Sequence, residues 1–154
     1  MRFVQIFLSG QPWDTHSNNA ENLKNLYAMT GQPSAGLVLD LKRRGLLDST
    51  IVLWTGEFGR LPISQGADGR DHNRHAFSLW LAGGGFKKGY VHGATDDFGY
   101  ASVEKVVRVP SLHATLLHAL GLDHTKVTFP HEGRDDTLTD AAVTRADVVT
   151  DLLT

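Results

Sequence analysis

Apolar and polar residues follow two different periods along the chain, and these periods predict which segments are strands and which are helices. Short runs rich in β-branched and aromatic residues at 2–8, 51–54 and 76–82 predict strands. Leucines at helical spacing predict helices over 34–46 and 110–122. Glycine, proline and polar clusters between these runs mark the loops.

The order of these segments favours an α/β fold. Residues 22–29 are also typical of a helix, and Pro33 is expected to interrupt it or start a new one, because proline suits a first turn and not a helix interior. A helical stretch between the strands at 2–8 and 51–54 makes a βαβ unit, which implies parallel pairing through a right-handed crossover. Later segments predict a hairpin arm at 88–95, an edge strand at 102–109, and a loop from 123 to a short terminal helix at 146–153.

Composition and net charge exclude several kinds of partner and of metal site. The 154 residues carry a formal net charge of −2, so no broad basic field points to nucleic acid or to an anionic membrane. No apolar run approaches the roughly 18 residues of a membrane span, and the apolar start is too short for a signal peptide. The chain has no cysteine, which excludes disulfides and thiolate metal sites, but it has eight histidines.

Carboxylate and imidazole groups occur together at four places along the chain. Two of the places lie in loops that follow predicted strands, and loops that follow neighbouring parallel strands meet at one edge of a sheet. Oxygen and imidazole donors without sulfur suit Zn²⁺, Mn²⁺, Mg²⁺ or Ca²⁺. The candidate metal ligands are Asp14 with His16, Glu57, Asp71 with His72, and His113, and all except His113 are expected to converge.

Two arginines lie beside these candidates. Arg60 and Arg70 could form a bidentate clamp for a tetrahedral anion, and this clamp is their expected catalytic role.

The candidate ligands also have purely structural interpretations, which the sequence leaves open. Loop carboxylates and imidazoles often end a turn or pair with a neighbouring side chain. The alternatives are an Asx turn at Asp14, a surface position for His16, an ion pair of Glu57 with Arg60, a turn cap at Asp71-His72 and a hydrogen-bonded His113.

Several motifs resemble the carboxyl-terminal portion of a large bacterial family of uncharacterised, sulfatase-like proteins with a domain of unknown function. They are WDTHSNN, LKRRGLLDSTIVLWTGEFGR, GRDHN, FSLWLAGGGFKKG, GATDDFGY, LHATLLHALGLDH and GRDDTLTD, and they cover nearly the whole chain in the family's order. The family is placed in the alkaline phosphatase-like superfamily. The resemblance implies an α/β/α sandwich around a mostly parallel sheet, often with two divalent metals at the strand ends, and hydrolysis of phosphate or sulfate esters.

The resemblance also implies roles for particular residues. Asp14 and His16 resemble the superfamily's first Asp and His, and Asp71-His72 resembles its downstream histidine region. Phe58 stands where a histidine ligand would sit after the second strand. The superfamily's nucleophile would lie in an amino-terminal part that the resemblance does not reach, so residues 1–154 are expected to form one domain that is incomplete on that side.

The sequence therefore leads to a first hypothesis of a metal-dependent hydrolase domain. It would hold Zn, Mn or Ca and act on a small anionic phosphate or sulfate ester. A second hypothesis is a non-catalytic binding module that recognises an anion or a protein partner, with self-association through an open sheet edge. A third, proton transfer by histidine without metal, lacks a nucleophile–base pair at a recognisable spacing. The resemblance implies an exported or periplasmic location for full-length relatives, although the chain shows no signal peptide.

Overall fold

Helices and four small ladders of strands make up the part of the chain that the computed structural model describes, residues 3–154. The helices are α1 (Asn19–Arg43), α2 (Val109–Ala119) and α3 (Ala141–Thr144), with 3₁₀ turns at Leu47–Ser49 and Thr150–Leu152. The strands are β1 (Val52–Trp54), β2 (Gly59–Arg60), β3 (His72–Asn73), β4 (Trp80–Ala82), β5 (Ala94–Thr95), β6 (Ser102–Glu104), β7 (Thr128–His131) and β8 (Arg134–Thr137).

Every ladder among the described residues is antiparallel and has two strands. β1 pairs with β4, with Val52 opposite Ala82, and the other pairs are β2 with β3, β5 with β6 and β7 with β8. The expectation of an α/β/α sandwich around a mostly parallel sheet, of the alkaline phosphatase-like type, is therefore wrong. The strands are only two to four residues long, and β1 takes β4 as its antiparallel partner instead of a preceding parallel strand.

The predicted first strand does not form over residues 3–8, and Arg2 lies outside the described residues. Phe3, Val4, Ile6 and Phe7 instead expose more than three quarters of their surface. A high β propensity expresses how well a side chain fits a half-buried pleated surface, so it produces a strand only where a neighbouring strand is present. No described strand lies beside this segment, and the predicted βαβ unit therefore lacks its first member.

The interruption predicted at Pro33 is also wrong, because α1 runs through it as one helix of 25 residues. A proline inside a helix removes one backbone hydrogen bond to the residue four positions earlier, here Met29. Met29 is 60% exposed, so this turn of α1 faces solvent, where water can bond to an unpaired carbonyl group. The predicted end is confirmed: Lys42 and Arg43 lie in the last turn, and Gly45 follows with a φ of 68°.

The chain from residue 51 onward agrees better with its hydrophobic pattern. The helix predicted at 110–122 is confirmed as α2, which has Pro110 in its first turn and buries Leu112 and Ala114. The strands predicted at 51–54 and 76–82 are confirmed in shortened form as β1 and β4. The hairpin of β7 and β8 lies in a stretch that the sequence predicts as a loop.

Few of the described side chains are buried, and several of these lie on α2 and in the carboxyl-terminal segment. Thr115 on α2 is fully buried; its hydroxyl donates to the Ser111 carbonyl at 2.7 Å and accepts from the Val149 amide at 2.9 Å. The Phe86 side chain is buried, and its backbone bridges Leu153. In the described part of the chain, no helix combines the length and apolar character that crossing a bilayer requires.

Candidate metal centre

The loop before α1 presents Asp14 and His16 on the same side. Two tight hydrogen bonds shape it, from the Thr15 amide to the Trp13 carbonyl at 3.0 Å and from the His16 amide to the Asp14 carbonyl at 3.2 Å. Thr15 is buried between them, and its hydroxyl donates to Asn19 Oδ1 at 2.6 Å. Because Thr15 faces inward, its two neighbours face outward together.

A second loop brings His72 to the same place. In the ladder of β2 and β3, Arg60 lies directly opposite His72, so the two side chains are cross-strand neighbours. The Arg70 amide donates to the Thr15 carbonyl at 2.9 Å and ties this loop to the first one. Gly69 is buried against the first loop, where a Cβ atom would lie 1.9 Å from the His16 carbonyl oxygen. Only glycine allows this close approach of the two backbones.

Three donor atoms meet where the two loops touch. Asp14 Oδ1 lies 3.0 Å from His16 Nε2 and 2.9 Å from His72 Nε2, and the two Nε2 atoms are 3.2 Å apart. A tetrahedral zinc ion with bonds of about 2.0–2.1 Å separates its ligands by about 3.3 Å. The triangle of Asp14, His16 and His72 therefore has nearly the dimensions of one face of a tetrahedral ligand set, and the three residues could hold a metal ion.

The charge of Asp14 suits this role. A hydrogen bond with His72, a second one with Arg60 and the nearby charges of Arg60 and His16 lower the pKa of Asp14 from 3.8 to about 2. Arg60 Nη1 lies 2.6 Å from Asp14 Oδ1. The carboxylate is therefore ionised at neutral pH, as a metal ligand must be. His16 and His72 are about half exposed, so the donor atoms can be reached from solvent.

Two further residues orient the imidazoles. Asp71 Oδ1 lies 3.5 Å from Nδ1 of His16, the ring nitrogen that does not face the other donors. The Gln65 amide donates to the second carboxylate oxygen of Asp71 at 2.9 Å and fixes it. The Phe58 ring packs against His72, with their centroids 4.3 Å apart. Metal-binding histidines commonly have such a carboxylate at their second nitrogen.

The remaining predicted residues lie around the triangle or away from it. Glu57 is exposed and its carboxylate lies 3.7 Å from Arg60, which is the ion pair considered as its structural alternative. Arg70 Nη1 donates to the Gly69 carbonyl at 2.7 Å. His113 lies on α2 and is not one of the three clustered residues. The role of Arg60 and Arg70 as an anion clamp stays a prediction.

A pocket borders the triangle, and the hydrophobic pattern of the chain does not indicate it. It is open to solvent, has a volume of about 320 Å³ and is lined by Phe58, Leu61, His72, Arg74, His75 and Tyr100. Its architecture depends on the buried amide of Asn73, which follows His72 in the GRDHN motif. The adjacency of this amide to a candidate ligand was the only sequence signal for the pocket.

Comparisons with known proteins place the chain in a family without assigning an activity. Neither the curated proteins nor the solved structures contain a match. One family model matches residues 1–153 and carries the description Protein of unknown function (DUF1501). The resemblance to an uncharacterised family is therefore confirmed, whereas nothing in these comparisons links the chain to sulfatase-like or alkaline phosphatase-like proteins. The chain belongs to the DUF1501 family of proteins of unknown function.

Proposed function

We propose that the chain binds one divalent metal ion through Asp14, His16 and His72 and hydrolyses phosphate or sulfate esters. The triangle of donor atoms, with sides of 2.9, 3.0 and 3.2 Å, carries the proposal. Two imidazoles and one carboxylate suit Zn²⁺ or Mn²⁺ better than Ca²⁺, which takes six to eight oxygen ligands. We therefore expect zinc or manganese.

The number of protein donors supports a catalytic site over a structural one. Structural zinc sites have four protein ligands, whereas catalytic sites have three and keep one position open. The described residues supply three donors, and the imidazole side chains of His16 and His72 are 50% and 47% exposed. A bound divalent ion lowers the pKa of a coordinated water and polarises a phosphoryl or sulfuryl oxygen.

The surrounding side chains prepare the donors for this task. The Asp71 carboxylate, 3.5 Å from Nδ1 of His16, favours the tautomer with its proton on Nδ1, which leaves the lone pair of Nε2 for the metal. Arg60 places a permanent positive charge beside Asp14, and this charge favours an anionic ester at the same place. Two adjoining loops thus supply the metal ligands, the carboxylate that orients His16 and the positive charge that attracts an anionic ester.

Metal content and ester hydrolysis test the proposal. Untagged protein, purified without chelator, would be measured by elemental mass spectrometry and then assayed with p-nitrophenyl phosphate and p-nitrophenyl sulfate. We expect one equivalent of zinc or manganese and turnover of one of the esters. The double variant His16→Gln, His72→Gln should lose both.

A matched control comes from a second histidine–aspartate pair. His131 Nδ1 lies 3.0 Å from Asp136 Oδ2 on the β7–β8 hairpin, with an exposure close to that of His16. His131→Gln should keep the full metal content. Unchanged metal content in the double variant would overturn the site, and metal uptake without turnover would overturn the hydrolase assignment.

A second candidate function, binding of a protein partner, is favoured by the extent of the exposed surface. A folded monomer of 16.9 kDa is expected to expose about 7,700 Å². The chain exposes 11,294 Å², and the exposed residues include many large apolar side chains. The surplus of about 3,600 Å² is large enough to include an interface of the roughly 1,000–2,500 Å² that each subunit buries in an obligate dimer.

We infer that the partner is a second copy, joined through residues 3–8. This segment contains no charged residue, so nothing in it selects a partner of opposite charge. An identical segment running antiparallel about a two-fold axis would satisfy its free backbone groups and cover Ile6 and Phe7. Sedimentation should show a dimer that Ile6→Lys dissociates and that Val91→Lys, at an equally exposed site, leaves intact. A monomeric wild-type protein would overturn this candidate.

A further inference from the structure

The pocket beside the triangle shares a residue with it. His72 supplies Nε2 to the donor triangle, and its ring also lines the pocket of about 320 Å³. A molecule whose anionic group lies at the triangle would therefore place its adjoining atoms in this pocket. The size and chemistry of the pocket therefore limit what the rest of that molecule can be.

The walls of the pocket are flat and mostly apolar. The Phe58 ring lies against His72 on one side, with centroids 4.3 Å apart. On another side the rings of His75 and Tyr100 stack, with centroids 5.3 Å apart and planes 23° from parallel. Aromatic faces of this kind favour another aromatic ring, in stacked or edge-on contact.

A buried amide fixes the His75 and Tyr100 walls. Asn73, which is 1% exposed, donates from Nδ2 to the Tyr100 carbonyl at 2.9 Å and accepts at Oδ1 from the His75 amide at 2.8 Å. The Ser102 amide donates to the His75 carbonyl at 3.1 Å. Since Asn73 directly follows His72 on β3, the same two-residue strand positions a metal donor and the pocket.

A second carboxylate holds the turn that carries Tyr100. Asp96 accepts hydrogen bonds from the amides of Tyr100 at 2.8 Å and Ala101 at 3.1 Å. The bond from Tyr100 is the main reason that the pKa of Asp96 lies below its usual 3.8. The Tyr100 backbone is thus anchored at its amide and at its carbonyl, while its side chain remains available to the pocket.

We propose that this pocket receives an aromatic group, so that the ligands of the site are aryl phosphates or aryl sulfates. The inference rests on the proposed function, because it assumes that the anionic group lies at Asp14, His16 and His72. A dry cavity of about 150 Å³ holds benzene, so the 320 Å³ of this pocket accommodates one or two rings. Arg74 lies in the same lining and is exposed, which places a positive charge near the edge of the ring system.

Calorimetric titration of the zinc-loaded protein with two probes tests the inference. Phenylphosphonate and methylphosphonate carry the same anionic group and differ in the aromatic ring. We expect phenylphosphonate to bind about tenfold more tightly, as burial of much of one ring implies. Tyr100→Ala should remove this preference without changing the zinc content or the affinity for methylphosphonate.

Tyr90 provides the control, because it is an aromatic residue of similar exposure that lies outside the pocket lining. Tyr90→Ala should keep the preference for the phenyl probe. Equal affinities of the two probes for zinc-loaded wild-type protein would overturn the pocket assignment and leave the metal site standing.

Failure of the proposed function has a different signature, namely that the protein takes up no metal. In that case, magnetisation transfer from the ring protons of Phe58 and Tyr100 to phenylphosphonate tests whether the probe binds in the pocket. Transfer would support the aromatic pocket without the metal, and its absence would overturn it.

Discussion

Replacing Gly69 by alanine should weaken metal binding, although Gly69 carries no ligand atom. A Cβ atom at this position would lie 1.9 Å from the carbonyl oxygen of His16 and 2.2 Å from its carbonyl carbon. Ordinary contacts between such atoms are about 3.5 Å, so the two loops must separate by more than about 1.5 Å. Metal–ligand distances tolerate about 0.2 Å. We therefore expect His16 to leave its position and the affinity to fall about 10- to 100-fold, the range for lost support of a ligand.

Gly66 offers a matched control in the same loop. A Cβ atom there would lie 3.3 Å from the same His16 carbonyl oxygen, a contact that needs a shift of only a few tenths of an ångström. Neither glycine has a positive φ, so alanine adds no backbone strain at either position. Both variants remove one glycine from the loop, and they differ in the clash with His16.

Competition between the protein and a chromogenic chelator for zinc measures the affinity, and far-UV circular dichroism verifies that each variant is folded. Gly66→Ala should bind zinc nearly as the wild-type protein does. Wild-type affinity in folded Gly69→Ala would refute the packing argument. An equal loss in both variants would assign the effect to reduced loop flexibility instead of the clash.

Three further predictions concern the groups that support the site and the core. Asp71→Asn should lower zinc affinity about 10- to 100-fold in the same competition assay, because His16 loses the carboxylate at its Nδ1. Folding lowers the pKa of Asp96, so its contribution to the free energy of unfolding is complete above the unfolded value of 3.8 and is lost as the pH falls through the lower folded value. Urea titrations should show that acid reduces the free energy of unfolding less in Asp96→Asn than in the wild-type protein. Thr139→Val should reduce the free energy of unfolding by about 1–3 kcal/mol, measured by urea titration, because Nδ1 of buried His124 loses its 2.9 Å hydrogen bond.

The helices could be predicted from the sequence because their signals are local. The leucine spacing and Pro110 defined α2, and the cations before Gly45 marked the end of α1. The sheet could not be predicted in the same way, because pairing depends on which strands become neighbours. The apolar run at 3–8 is typical of a central strand and has no partner among the described residues. Where the sequence predicted a parallel βαβ unit, the described strands pair in antiparallel ladders of two.

The grouping of Asp14, His16 and His72 was expected from the sequence, but for a different structural reason. The expectation relied on loops at one edge of a parallel sheet, whereas the structure joins the two loops by the Arg70–Thr15 hydrogen bond and the close approach at Gly69. Their role as ligands stays a prediction. Backbone contacts between loops leave almost no trace in a hydrophobic pattern, which explains why Gly69 and Asn73 were missed as the residues that position the site.

The separation of the donors along the chain has a consequence for the unfolded state. His16 and His72 are 56 residues apart, so an ion held by both closes a large loop of the polypeptide. In the chain-entropy description of cross-links, closing a loop of this length is worth about 4 kcal/mol. A bound metal would thus cross-link the loop before α1 to β3, and its removal by a chelator would raise the conformational entropy of the segment between them in the unfolded chain. Protease sensitivity of residues 17–71 would then report the metal content of a sample.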